Sequence, residues 1–124
     1  MIPGFSPERI TAAGQPMTIG AVPSGVEPLI LAELSRTGGP VAYVLSDGQR
    51  ISDLEQILGF VAPDIPVLTL PGWDCLPYDR VSPSAEVSAR RLSALSALIA
   101  HSKKPHAAIV LVTVNAMLQK MAPR

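Results

Sequence analysis

Two short runs, VAYVL at 41–45 and IVLVTV at 109–114, are almost continuously apolar and rich in β-branched side chains. A strand with one face in water alternates apolar and polar residues. One that does not alternate needs cover on both faces, as in a parallel sheet sandwiched between helices. Parallel neighbours cannot be joined by a tight turn and need a crossover of a dozen residues or more, usually a helix. PVLTL at 66–70 reads as a third such strand, and MTIGAV at 17–22 as a weaker fourth.

The segments between the runs carry the helical period. Ile51, Leu54, Leu58 and Val61 recur on one face of a helix predicted over 48–60. Leu92, Leu95 and Ile99 mark a core stripe on another, which opens at Ser82-Pro83, has Glu86 in its first turn and closes near His101. An earlier helix is predicted from Pro28 to Arg36, with Ile30, Leu31 and Leu34 inward and Gly38 as its stop. A short one after Asn115 carries Met117, Leu118 and Met121. The predicted fold class is therefore α/β, an open parallel sheet of about four strands with about four helices on both faces.

At 124 residues and 13.1 kDa the chain suits one domain, placed at 16–124 behind a flexible arm at 1–15. The thirteen prolines fall between the apolar runs and punctuate them. No apolar run approaches the roughly 18 residues of a membrane span, and the N-terminus has no signal-peptide pattern, so a cytoplasmic protein without membrane contact is expected. Ten basic residues balance ten acidic ones, so DNA affinity would need a local patch. The single Cys75 and the two histidines give no internal disulfide and no metal-ligand spacing.

GAVPSGVE at 20–27 has half of a phosphate-binding loop. Gly20, Ser24 and Gly25 keep the spacing that lets backbone N–H groups curl around phosphates. The positions that should hold a lysine for the β/γ-phosphates and a hydroxyl for Mg²⁺ are Val26 and Glu27, one apolar and the other repelling phosphate. The loop is therefore read as degenerate, with no cofactor held by this chain.

The stretch LPGWDCLPYDRVSPSAEVSARRLSAL at 70–95 packs the only tryptophan among prolines and charges. Trp73 and Tyr78 read as packing anchors. Asp74, Asp79, Arg80, Arg90 and Arg91 are candidates for contact with a neighbouring domain. Arg90 and Arg91 are adjacent on a helix, so they point about 100° apart and cannot easily clamp one phosphate.

The string PGWDCLPYDRVSP, the ARRLSAL helix and the strand leading into VTVNAMLQK resemble the N-terminal region of the bacterial transcription-repair coupling factors, and more distantly the first domain of the damage-verification helicase subunit of nucleotide excision repair. The resemblance spans residues 16–124. It implies a degenerate helicase-like first lobe, monomeric as a fragment, that packs against other domains of a larger chain. In that family the full-length protein is an ATP-dependent DNA translocase which frees stalled RNA polymerase and recruits the excision-repair damage-recognition ATPase. ATP and Mg²⁺ belong to a motor beyond residue 124. A competing reading is a small nucleotide-binding α/β domain that hydrolyses or senses ATP in its own right. Against it stand Val26, Glu27 and the lack of an acidic D-E-x-x-type strand end.

Overall fold

The computed structural model describes residues 4–12, 14–23, 25–73, 80, 82–103 and 106–119. The elements run α1 (Pro7–Ala12), α2 (Glu27–Gly38), β1 (Val41–Leu45), α3 (Gln49–Val61), β2 (Val67–Leu70), α4 (Ala85–Lys103), β3 (Ile109–Thr113) and α5 (Val114–Leu118). The three strands form one parallel sheet in the order β1-β3-β2. The most apolar run in the sequence is thus the central strand, buried from Ile109 to Val112.

Strand alternation assigns each face its helices. Ile109 and Leu111 join Leu31 and Ala32 of α2, Ile51, Leu54 and Leu58 of α3, and Leu45 of β1 in the larger core cluster. Val112, on the other face, packs with Leu70, with Ala94 of α4 and with Ala116 of α5. The crossovers β1-α3-β2 and β2-α4-β3 run in opposite directions across the sheet. Connections of one hand therefore place α3 and α4 on opposite faces.

Buried polar groups tie the larger layer together. The Ala108 carbonyl accepts from Val41 N at 2.8 Å and from the buried Ser35 hydroxyl at 3.0 Å, which fastens α2 to the start of β3. Asp47 Oδ1 accepts from Gln49 N and Arg50 N at 3.0 and 3.2 Å and caps α3. Gly39, at φ 89°, ends α2 in a conformation that favours glycine.

The structure departs from the sequence expectation in three places. Three strands are present among the described residues instead of about four, because 17–22 forms no ladder. Pro16 and Pro23 bracket that stretch and remove donors, and Ala21 sits at φ 53°, outside the extended region. Five helices are present among the described residues instead of about four, the additional one being α1, in the segment expected to be an arm. It packs on α2, with Thr11 against Gly38. The stripe of α4 is also turned: Arg91 and Ala94 are buried, whereas Leu92 and Ile99 are 58% and 51% exposed. The physical reason is that Val87, Arg91, Ala94, Leu95 and Leu98 fall on one face at helical spacing, and Leu92 and Ile99 lie on its flank.

Candidate functional site

The stretch expected to be a degenerate phosphate loop turns into α2 through Gly25 at φ 93° and a bond from Val26 N to the Pro23 carbonyl at 3.1 Å. Val26, at the N-cap of α2, gives no side-chain cap. A phosphate at such a helix start would be held by backbone N–H groups of the first turn. Here the second residue of the helix is Pro28, which has no N–H to give, and the first is Glu27.

The Glu27 carboxylate receives Arg50 of α3 at 2.7 Å. That bond and the adjacent charge raise the Arg50 pKa above its ordinary value. Burial, followed by the negative charge of Glu27, pushes the Tyr43 phenol up as well. The cavity at this corner, about 430 Å³, is bordered by Gly25, Glu27, Arg50 and Asp53. Its one lining cation, Arg50, is already paired with Glu27, and Asp53 is a second carboxylate residue on the lining. Gly20 lies exposed in the irregular stretch before it, and Ser24 lies outside the described residues.

The second candidate region follows β2. Arg91, 2% exposed, reaches from α4 to donate Nη1 to the Pro71 carbonyl at 2.6 Å. Its guanidinium carbon lies 4.5 Å from the centre of the Trp73 ring. Trp73 N in turn donates to Gln119 Oε1 at 2.6 Å, so the residue is held from two sides. Burial draws the Arg91 pKa below its ordinary value, and its Nη2 has no partner among the described residues.

Arg90, the next residue back, is exposed and pairs with Glu86 one turn earlier at 2.7 Å. The two arginines thus do different things, as their angular separation requires. Arg80 is exposed, while Asp74, Cys75, Tyr78 and Asp79 lie outside the described residues. The structure brings Trp73 and Arg91 together, and leaves Arg90 on the surface.

Sequence reasoning missed Arg50 and Gln119 altogether and placed Arg91 on the surface. Arg91 shares a helical face with Val87, Ala94 and Leu98, but the sequence offers the Leu92, Leu95 and Ile99 face as well, so the pattern alone did not decide its burial. Arg50 and Gln119 leave no local signal, because their partners are 23 and 46 residues away.

A cleft of about 600 Å³ opens beside β2 between α3 and α4, with Ser52, Glu55, Thr69, Arg90 and Ser93 on its walls. Thr69 donates to the Glu55 carboxylate. No three histidine, cysteine or carboxylate residues converge as a metal set among the described residues. No helix among them is long and apolar enough to cross a membrane.

No protein-family model matches the chain. Among curated proteins, it is 31% identical over 126 aligned residues to the transcription-repair-coupling factor of Mycobacterium tuberculosis, with 98% of the chain covered. The proteins of the same name from Haemophilus influenzae and Escherichia coli are 28% and 30% identical over 96% and 90% of the chain. The chain spans about a tenth of the length of these relatives. Aligned nearly end to end with such proteins, it belongs to the transcription-repair-coupling-factor family as a segment of that size.

Proposed function

We propose that this chain is the non-catalytic N-terminal lobe of a transcription-repair coupling factor, an ATP-dependent DNA translocase that releases stalled RNA polymerase and recruits the excision-repair damage-recognition ATPase in the cytoplasm. The lobe serves domain packing and regulation. ATP and Mg²⁺ are held by a motor in the remainder of the protein. The observation that carries this reading is the Glu27 to Arg50 pair at the start of α2, where a working phosphate loop would hold its phosphates. An internal carboxylate already occupies the arginine, Val26 offers no charge and Pro28 offers no N–H. A phosphate entering there would meet Glu27 and Asp53.

The region after β2 fits the scaffold role. Trp73 is fixed by Arg91 and Gln119, which gives the following segment a rigid base from which to meet a neighbouring domain. Calorimetry of the 124-residue chain with Mg-ATP tests the reading, and no binding tighter than roughly 100 μM, about −5.5 kcal/mol, is expected. Tighter binding, or hydrolysis, would favour an independent nucleotide-binding domain instead. The second arm uses exposed Arg80. Arg80→Ala is expected to leave the chain within about 0.5 kcal/mol of its parent, yet to alter basal ATPase in the full-length protein.

A further inference from the structure

In the order β1-β3-β2, β2 has β3 on one side and no strand on the other among the described residues. Ile109 N donates to the Pro66 carbonyl at 3.0 Å, which fixes the phase of the ladder. Pro66, Leu68 and Leu70 turn their backbone groups toward β3, and Val67 and Thr69 turn theirs outward. The next outward residue is Pro71, which has no N–H and whose carbonyl is taken by Arg91. The open row is therefore the N–H and C=O groups of Val67 and Thr69, none of them bonded among the described residues.

The cleft of about 600 Å³ lies along this row. Ser52 and Glu55 of α3 wall it on one face of the sheet, and Ser93 and Ala97 of α4 wall it on the other. Both helices thus stand beside the edge, one on each face. A folded partner offering its own sheet edge brings cover on both faces and collides with these walls, whereas a single extended segment does not. Pro66 and Pro71 bracket β2 and keep the edge short, which also disfavours sheet-to-sheet pairing. Leu68, Ala94 and Ala97 give the α4 side an apolar strip, and Arg90 on that side is already paired with Glu86. The α3 side is polar, with Ser52, Thr69 and the Glu55 carboxylate.

We propose that this groove takes an extended segment of another polypeptide as an added strand, one in which β-branched apolar residues alternate with hydroxyl-bearing or basic ones. The apolar set meets Leu68 and Ala97, and the polar set meets Ser52 and Glu55. Backbone bonds to Val67 and Thr69 supply the affinity. Because the edge is only two residues long, the segment exchanges readily and does not become a permanent strand. The proposal goes beyond the scaffold reading and does not depend on it.

Hydrogen exchange of the full-length coupling factor, read by mass spectrometry with fragmentation to single amides, tests this with the peptide acetyl-KVTVTVK-amide as probe. Without peptide, the Val67 and Thr69 amides are expected to exchange fast and the Leu68 and Leu70 amides slowly, because β3 holds the latter pair. At about 1 mM peptide, Val67 and Thr69 are expected to slow about fivefold, as a dissociation constant of about 250 μM gives, with Ile109 to Thr113 unchanged. The same peptide N-methylated at every Val and Thr is expected to give no protection. Ser93→Trp, at an exposed position on the α4 wall, is expected to abolish most of the slowing. No slowing at Val67 and Thr69, or equal slowing by the N-methylated peptide or in Ser93→Trp, would overturn the proposal. So would two results that give the groove another occupant. One is that both amides are already slow in the full-length protein but fast in the 124-residue chain, which assigns the groove to the protein's own remainder. The other is slowing that rises with protein concentration together with a dimeric mass, which assigns it to a second copy.

Discussion

Arg91 holds Trp73 with no carboxylate partner among the described residues: its guanidinium lies 4.5 Å from the ring centre and donates to the Pro71 carbonyl, while Nη2 has no partner among those residues. A buried cation kept this way gains from the ring and the carbonyl and still carries the cost of an unmade bond.

Two substitutions separate those contributions. Arg91→Ala should destabilise the chain by about 3 kcal/mol, because it removes a buried side chain that fastens the loop to α4. Arg91→Met fills similar space and needs no acceptor, so it should recover most of that loss. Trp73→Ala should cost about 2 to 3 kcal/mol, and less in the Arg91→Met background, with a coupling of about 1 kcal/mol. Urea denaturation of the four variants decides it. Additive effects would mean that the ring and the guanidinium do not interact.

The phenol of Tyr43 gives a pH test of the α2 corner. Its pKa is raised in the folded protein, by burial first and by Glu27 second. The stability tied to it is therefore fully present below the unfolded phenol pKa of about 10, and is lost as pH rises through the higher folded value. Glu27→Gln should lower the folded value, so that Tyr43 ionises earlier in an absorbance titration at alkaline pH. Tyr43→Phe identifies which transition is its own. An unchanged titration in Glu27→Gln would remove the carboxylate as a cause.

Restoring the missing side chains should not restore an enzyme. Val26→Lys with Glu27→Thr frees Arg50 and supplies the lysine and hydroxyl of a phosphate loop, yet Pro28 still gives no N–H, and Asp53 is then the one carboxylate residue left lining the corner among the described residues. The double variant is expected to show no ATP hydrolysis above the parent's background. Turnover in a phosphate-release assay would reveal a catalytic set that the geometry does not contain.

The seat of α1 is tight at one point. A Cβ on Gly38 would stand 2.6 Å from Thr11 Cγ2. The Thr11 hydroxyl also contacts the Pro7 and Glu8 carbonyls at 3.2 Å, which holds its rotamer. Gly38→Ala should therefore cost about 1 kcal/mol despite alanine's better helix propensity, and Thr11→Ala should relieve it. Proteolysis within residues 4–12 should rise in the single variant and fall back in the double one. Equal stability of Gly38→Ala and parent would mean that α1 shifts at no cost.

Much of this protein follows from local pattern. The unalternating apolar runs at 41–45 and 109–114 dictated parallel strands, covered on both faces in β3 but with Ala42 and Val44 exposed on one face of β1. The Ile51, Leu54 and Leu58 spacing dictated α3, and Val26 and Glu27 set the expectation of a loop without phosphate chemistry, because each of these depends on residues close together in the chain. The tertiary structure alone decided that 17–22 stays out of the sheet, that Arg91 is buried beneath Trp73 while Leu92 is not, and that Glu27 meets Arg50. Those outcomes depend on which helix lies over which strand. A helical period shows that a face is apolar, but whether Arg91 or Leu92 points at the sheet is a rotation of about 100°, and that is set by packing against distant elements.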